Sequence, residues 1–296
     1  MIGSAAIFEP GFFSNPAVHT ALIVGGVVAV VSAAVGVFTV IRGQSFAGHS
    51  LSDIGPAGGS GALLAGVSSL YGFLAFNGVA AAVMGLIGLR RPRARDLATG
   101  VVLGAALGLA ALFLYEDTTT SSTTGATVSV LFGSIFTLQA SMVPLVVALG
   151  VLAVGLVALL YRPLLLSSVN TDLAAARGVP VRLVAIGYLL ALAVAVSLSA
   201  LTIGAILSTA LLIGPAASAL RLVRRTGPAI ALAAVIGVAA VWLGVVLAYD
   251  SVSWTGGGQG WPVSFFIVAV IFAWYLLTGL WTRWRGERRV PRAGAS

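Results

Sequence analysis

Long apolar stretches, separated by short polar segments, follow one another along almost the whole chain. They cover residues 17–42, 45–66, 68–89, 97–115, 139–161, 182–201, 203–223, 228–249 and 262–282. A helix that crosses the hydrocarbon core of a bilayer needs about 20 mostly apolar residues. The pattern therefore predicts an all-α integral membrane protein, a polytopic bundle of about nine (eight to nine) transmembrane helices in a single domain over residues 1–296.

The composition supports this class and excludes several others. Hydrophobic residues make up 59% of the chain and charged residues 8%, whereas soluble domains are about 25% charged. Because there is no cysteine, disulfides, iron–sulfur clusters and thiolate metal sites are excluded. There is also no lysine, so the chain has no P-loop of the G-x-x-x-x-G-K-[ST] type. If ATP drives this protein, the ATPase is a separate chain.

The arginines predict the orientation in the membrane. All sixteen lie on one face if the N-terminus is outside and nine segments cross. Cytoplasmic loops carry an excess of positive charge, so this face is cytoplasmic, together with the C-terminus and the Arg-rich tail at 283–296. The opposite face receives Glu9, Glu116, Asp117 and Asp250. The net charge of +8 is thus an orientation signal, and no nucleic-acid partner is expected.

Two stretches carry information on packing. The segment "GPAGGSGALLAG" is rich in small residues, which let helix backbones approach closely in lipid, and it is predicted to lie inside the bundle. The boundary in "SLSALTIGAIL" is weak, and both a helix pair and one broken segment fit it. Asn77 and Gln139 are predicted to form hydrogen bonds between helices.

The stretch "GHSLSDIGPAGG", residues 48–59, places His49 and Asp53 inside a predicted spanning helix. Their spacing of four puts both side chains on one helix face. An aspartate within a span costs about 2.5–3.5 kcal/mol on insertion scales and normally faces a cavity or a partner. Pro56 has no N–H to donate to the carbonyl of Ser52, so that this carbonyl oxygen is left free between the two candidate ligands. Imidazole, carboxylate and carbonyl together suit Zn²⁺, Mn²⁺ or Fe²⁺.

Other interpretations of this stretch stay open. His49 and Asp53 could lie near a membrane surface or form a structural pair. Asp53 could be the coupling carboxylate of an ion- or proton-coupled secondary transporter. The "GGSG" at 58–61 resembles the nucleophile motif of an intramembrane serine protease, which needs a histidine base, but His49 is on the same helix as the serine and His19 is the one other histidine.

The segment "SSVNTDLAAARGVPVRL" has the signals of a short, well-delimited helix at about 170–178. Asn170 or Thr171 can cap its N-terminus, Asp172 lies in its first turn and Arg177 in its last. Gly178 fits the position after the C-cap, and a proline follows. Such a helix is either a plain surface element or a docking element for a cytoplasmic partner.

Several motifs in order resemble those of one family. The chain contains "RGQSFAGHSLSDIGPAGG", "DLATGVVLGAALGL", "VLFGSIF", "NTDLAAARGVPV" and "IGAILSTALLIGPAASA". In these motifs the chain resembles the metal-ion (zinc/manganese/iron) family of ATP-binding-cassette (ABC) permeases. That family has a "G-D-x-x-S-H" signature on an early helix. The resemblance extends over residues 40–250. The family's aspartate and histidine correspond to His49 and Asp53, with the two residue types exchanged.

The resemblance implies a single permease domain that is a transport subunit and not an enzyme. It implies a bacterial cell membrane location, a cytoplasmic ATP-binding-cassette ATPase dimer, an extracytoplasmic metal-binding lipoprotein or solute-binding protein, and a second permease copy, as a homodimer or a heteromer. No permanent cofactor is expected, and Mn²⁺, Zn²⁺ or Fe²⁺ is the transported ion.

The resemblance also implies roles for individual residues. The ion leaves its binding protein near Glu9, Glu116, Asp117 and Asp250, passes His49 and Asp53, and exits by alternating access. His19 is either a ligand near the outer opening or a surface histidine. Residues expected to pack along the path are Ser52, Pro56 and Pro215. Residues expected to couple to the ATPase are Asn170, Asp172, Leu173, Ala174, Ala175, Ala176, Arg177 and Gly178.

Overall fold

The structure is a computed structural model, and it describes residues 11–87, 92–120, 124–133, 135–254 and 260–287. Within these ranges it is helical and has no strand. The α-helices are α1 Pro16–Ile41, α2 Ser45–Leu64, α3 Ser69–Ile87, α4 Pro92–Thr120, α5 Thr124–Phe132, α6 Val143–Leu159, α7 Tyr161–Val169, α8 Thr171–Ala176, α9 Val181–Ile203, α10 Ala205–Leu222, α11 Thr226–Trp254 and α12 Val263–Glu287. Short 3₁₀ turns lie at Phe12–Ser14, Ile135–Thr137 and Ala140–Met142.

Eight helices of the described ranges are long and apolar enough to cross a membrane. They correspond to eight of the nine predicted spans and confirm a multi-pass helical membrane protein. The remaining predicted span is α2, which is 20 residues long but is not among the eight because of its polar residues. α2 nevertheless packs against α3, α4 and α10 as part of the bundle.

The glycines of α2 lie at a close crossing with α3. A Cβ atom added to Gly58 would be 2.2 Å from the carbonyl oxygen of Gly72, and one added to Gly72 would be 1.9 Å from the carbonyl oxygen of Gly58. Larger side chains would push the two backbones apart, so this crossing requires small residues. The prediction that this Gly-rich stretch is packed inside the bundle is confirmed.

The weak boundary in the sequence is a helix pair, with α9 and α10 separated by Gly204 alone. Gly204 has φ 87°, a conformation that favours glycine. α5, which the apolar pattern did not predict, is followed directly by Gly133, whose φ is 83°. A Cβ on Gly204 would be 2.2 Å from the oxygen of Leu131, and one on Gly133 would be 2.4 Å from the oxygen of Thr202. The two glycines let the end of α5 pack directly on the break.

Buried hydroxyl and amide groups join the helices. Asn77 on α3 donates to the Ser197 hydroxyl on α9 at 3.0 Å, which confirms its predicted role. The hydroxyl groups of Ser32 and Ser199 join α1 to α9 at 2.9 Å. Gln139 is different, because it is exposed and accepts a 3.4 Å bond from nearby Ser141. Its predicted helix–helix bond is wrong.

The acidic residues assigned to outer loops need correction. Asp117 and Asp250 lie within α4 and α11 and are 3% and 4% exposed. α4 continues into the polar run as far as Thr120, and the hydroxyls of Thr118 and Thr119 find a partner inside this helix, since they donate to the carbonyl of Tyr115 at 2.8 and 3.0 Å. Glu116 is exposed on α4. Glu9 and residues 288–296 of the predicted tail lie outside the described residues, while the start of that tail is helical in α12.

Candidate functional site

His49 and Asp53 form a close pair near the start of α2. The Nε2 atom of His49 lies 3.4 Å from Oδ2 of Asp53, and its Nδ1 atom lies 3.4 Å from the hydroxyl of Thr209 on α10. The two side chains are 53% and 25% exposed. Both contacts are long for hydrogen bonds, so the ring nitrogens and carboxylate oxygens keep capacity to bind a ligand.

Ser52 holds α2 and α10 together beside this pair. Its buried hydroxyl donates to the carbonyl oxygen of Ala205 and is also within hydrogen-bond reach of the Ser208 hydroxyl. Ser52 therefore lies against the first turn of α10, whereas His49 lies against the next turn at Thr209. The two helices run antiparallel here, and the pair lies close to the α9–α10 break.

The exposed surface around the pair is named the α2–α10 face and consists of Phe46, His49, Asp53, Ile206 and Thr209. Phe46 and Ile206 are largely exposed, while Thr209 is half-buried. An exposed acid on a membrane helix is unfavourable toward lipid and normally faces a cavity or a partner. The α2–α10 face is therefore a surface that needs to be covered by protein or water.

One chain does not by itself provide a full set of metal ligands. Among the described residues, no three His, Cys, Asp or Glu side chains come together. His49 and Asp53 supply one imidazole and one carboxylate, which fit a first-row divalent ion. One chain thus offers a two-ligand half-site on an open face.

The other predicted site residues lie at varying distances from the pair. Pro56 is buried, and α2 continues through it to Leu64. Pro215 is buried within α10 against α11, where a Cβ on Gly237 would lie 3.7 Å from its Cγ atom. His19 is near the start of α1, where its Nε2 lies 2.7 Å from the carbonyl oxygen of Phe13.

The helix predicted near 170–178 is present as α8, Thr171–Ala176. The side-chain oxygen of Asn170 caps it by accepting from the amide of Leu173 at 2.9 Å. Gly178 has φ 76°, and the amide of Val179 donates to the carbonyl of Ala174 at 3.0 Å, as in a Schellman motif. Within α8, Ala174 is buried and the other side chains are exposed.

A second polar cluster, missed from the sequence, lies at the α1–α2 turn. It is named the Arg42 cluster and consists of Thr39, Arg42, Ser167 and Tyr188. An Nη of Arg42 donates to the Ser167 hydroxyl on α7 at 2.8 Å, and the guanidinium lies 5.4 Å from the Tyr188 ring centroid. The hydroxyls of Tyr188 and Thr39 are 2.7 Å apart. Burial lowers the pKa of the Arg42 guanidinium from its ordinary value.

The Arg42 cluster connects α1 and α9 with α7, the helix directly before α8. From the sequence, Arg42 was one of many arginines at a helix end and served as an orientation signal alone. Its serine and tyrosine partners are more than a hundred positions away along the chain. No local spacing in the sequence could have indicated this contact.

These features define a class of protein: a multi-pass helical membrane protein with an ionisable pair on one face of the bundle and a short exposed helix between spans. The particular family follows from comparison. Residues 14–276 match the ABC 3 transport family, and the chain belongs to it. As a permease of a bacterial ABC system it is a transport subunit, and the ATPase activity resides in a separate subunit.

Three comparisons illustrate the similarity. The chain is 30% identical over 245 residues to the manganese transport system membrane protein MntC of Listeria innocua, with 82% of this chain and 85% of that protein covered. It is 28% identical over 288 residues to MntC of Halalkalibacterium halodurans, with 96% and 95% covered. A solved structure, PsaBC from Streptococcus pneumoniae in complex with Fab, superposes with TM-score 0.76 at 26% identity, covering 90% of this chain and 92% of that one.

Proposed function

We propose that the chain is the membrane-spanning permease subunit of an ATP-driven importer for divalent transition-metal ions, which pass His49 and Asp53 during alternating access. The observation that carries the proposal is the His49–Asp53 pair on an exposed face of a chain whose relatives are named as manganese transport proteins. Imidazole and carboxylate suit Mn²⁺, Zn²⁺ and Fe²⁺. Mn²⁺ is the first ion to test because of those relatives' names.

A second copy of the chain completes the path in this proposal. Each copy contributes one imidazole and one carboxylate, and a tetrahedral ion such as Zn²⁺ takes four ligands. Two copies that meet through their α2–α10 faces bring four such ligands together and cover Phe46 and Ile206. A conducting path must also release its ion, so long, incompletely satisfied contacts at His49 are suited to transfer rather than storage.

The ATPase partner docks on α8 in this proposal. α8 is exposed except at Ala174, and it is capped at both ends, so it is a rigid projection rather than a flexible loop. The predicted orientation puts α8 and Arg42 on the cytoplasmic side. The extracytoplasmic binding protein then delivers the ion at the opposite end, where Glu116 is exposed.

The test is uptake into proteoliposomes that contain the permease and its ATPase, with the loaded binding protein outside. Mn²⁺, Zn²⁺ and Fe²⁺ are measured in parallel for the wild type, His49→Ala and Asp53→Ala. Gln139→Ala is the control, because it removes an exposed polar side chain that belongs neither to the pair nor to the α2–α10 face. We expect ATP-dependent uptake of one of these ions, lost in both pair variants and retained in the control.

Two results would contradict the proposal. Equal uptake by the wild type, His49→Ala and Asp53→Ala would show that the pair is structural. Uptake that follows a proton gradient and needs no ATPase would instead assign Asp53 to a secondary transporter.

A further inference from the structure

A groove of about 450 Å³ lies between the ends of α10 and α12. Two arginines, Arg221 from α10 and Arg283 from α12, line it. Apolar side chains of α12 form its wall, at Leu276 and Leu280. The groove, named the α10–α12 groove, contains no residue of the α2–α10 face or of the Arg42 cluster. It is therefore a separate feature of the chain.

Arg221 is held in place across the two helices. One Nη donates to the carbonyl oxygen of Tyr275 at 3.1 Å, and the guanidinium carbon lies 3.8 Å from the centroid of the Tyr275 ring. Gly279 makes room for this position, because a Cβ there would lie 2.9 Å from the Arg221 Nη1 atom. A cation fixed by stacking and a backbone bond loses little conformational entropy on binding an anion.

Most of the hydrogen-bonding capacity of Arg221 is left for a ligand. A guanidinium has five N–H donors, and the contact with Tyr275 occupies one of them. No carboxylate among the side chains that the structure describes lies within ion-pair distance of Arg221 or Arg283. A position at the end of α10 favours a cation through the helix dipole, but it does not account for the contacts that direct Arg221 across to α12.

The surroundings of the cations are those of a membrane interface. On α12, Leu280 is 63% exposed and Leu276 about half exposed. Trp281 and Trp284 on the same helix end are also largely exposed, and tryptophan is enriched where a helix leaves the hydrocarbon. A charged pocket directly beside an exposed apolar wall matches a ligand with an anionic head and an apolar tail.

We propose that the α10–α12 groove binds the phosphate headgroup of an anionic phospholipid, with an acyl chain along Leu276 and Leu280. Basic pockets between transmembrane helices on the cytoplasmic side bind such headgroups, and arginine can contact a phosphate through two parallel hydrogen bonds. The apolar wall selects the lipid over a soluble phosphate. This site is independent of the metal path and of the proposed function.

The test is lipid retention by the purified full-length permease with its ATPase, measured by native mass spectrometry. Vesicle-derived phosphatidylglycerol and cardiolipin are titrated against phosphatidylcholine for the wild type and for Arg221→Gln/Arg283→Gln. The matched control is Arg162→Gln/Arg182→Gln, which removes the same charge from exposed positions outside the groove. We expect the groove variant to bind anionic lipid at least about tenfold more weakly, since each basic residue near the surface contributes about 1 kcal/mol.

Further arms separate the sources of the signal. Excess glycerol 3-phosphate should not displace the lipid, because it lacks the acyl chain. If it does, the groove is a soluble-phosphate site and the lipid assignment is wrong. An equal loss in the control variant would show diffuse charge attraction and overturn the site.

Loss of the ATPase from the complex with lipid binding intact would assign the groove to the partner. If the double variant does not fold, Arg283→Gln alone, on the exposed end of α12, decides the outcome by the same criteria.

Discussion

The α2–α10 face and the Arg42 cluster both place charged groups in an apolar bundle. They differ in how closely these groups are hydrogen-bonded and in how far they are exposed. In the Arg42 cluster the contacts of Arg42 with Ser167 and of Tyr188 with Thr39 are 2.8 and 2.7 Å, and Tyr188 is fully buried. On the α2–α10 face both contacts of His49 are 3.4 Å, and half of the side chain is exposed.

The difference separates structural polarity from polarity that awaits a ligand. Short hydrogen bonds among buried groups stabilise the particular packing around them, and in the Arg42 cluster an Nη atom of Arg42 makes such a bond while its buried Nε has no partner. The partly exposed His49–Asp53 pair is held by long contacts only, and an acid on a helix of a membrane protein is a candidate for transport or binding. Variants of the α2–α10 face should therefore affect uptake, and variants of the Arg42 cluster should affect stability.

The largest expected effect is on uptake when both members of the pair are removed. Loss of a single outer-shell partner of a metal site costs about 10–100-fold, so His49→Ala/Asp53→Ala should reduce uptake by at least about 100-fold. Its unfolding temperature in detergent should match or exceed that of the wild type, because two polar groups leave an apolar face. A clear drop in that temperature would make the pair structural.

Arg42→Ala should act in the opposite way, on stability first. Hydrogen bonds to charged groups contribute about 1.5–3 kcal/mol each, and Arg42 loses its bond to Ser167 and its contact with Tyr188. Thermal unfolding in detergent measures the loss. Arg162→Ala, exposed on α7, is the matched control and should change the unfolding temperature little. Equal effects of the two variants would contradict a specific cluster.

The exchanged double variant His49→Asp/Asp53→His tests whether the set of ligands or their order matters. A helix presents positions i and i+4 on the same face, so the exchange keeps one imidazole and one carboxylate there. Uptake should stay within about tenfold of the wild type, because tenfold is the smallest loss expected when a group that supports a metal ligand is removed. Uptake as low as that of His49→Ala/Asp53→Ala would show that each position needs its own ligand.

The smallest effect is expected for Tyr188→Phe in the Arg42 cluster. The ring and its packing remain, and the Thr39 hydroxyl keeps its bond to the carbonyl of Val35, at 3.0 Å. Loss of the one hydroxyl contact should cost about 1 kcal/mol of unfolding free energy, with uptake unchanged. Chemical denaturation measures this change in unfolding free energy. A cost similar to that of Arg42→Ala would mean that Tyr188, rather than Arg42, makes the main stabilising contact of the cluster.

Local signals in the sequence were reliable where the structure depends on neighbouring residues. The N-cap Asn170, the acidic Asp172 in the first turn and Gly178 after the C-terminus predict a short helix here. The structure has this helix as α8, Thr171–Ala176. Asp117 and Asp250 were assigned to loops, but α4 continues into a polar run that resembles a loop, as far as Thr120, and α11 continues past Asp250 to Trp254. α5 was missed, because nine residues are too few to form an apolar span.

By itself the sequence determined the class of protein, most of the spans, the helix at α8 and the face shared by His49 and Asp53. These follow from composition and from helical periodicity, which act within one segment. The tertiary structure alone decided that Thr209 and Ser52 close the α2–α10 contact, that Gly133 meets Gly204, and that Arg42 reaches Ser167. Each of these joins segments far apart in the chain, and only the packed bundle brings such segments within hydrogen-bonding distance.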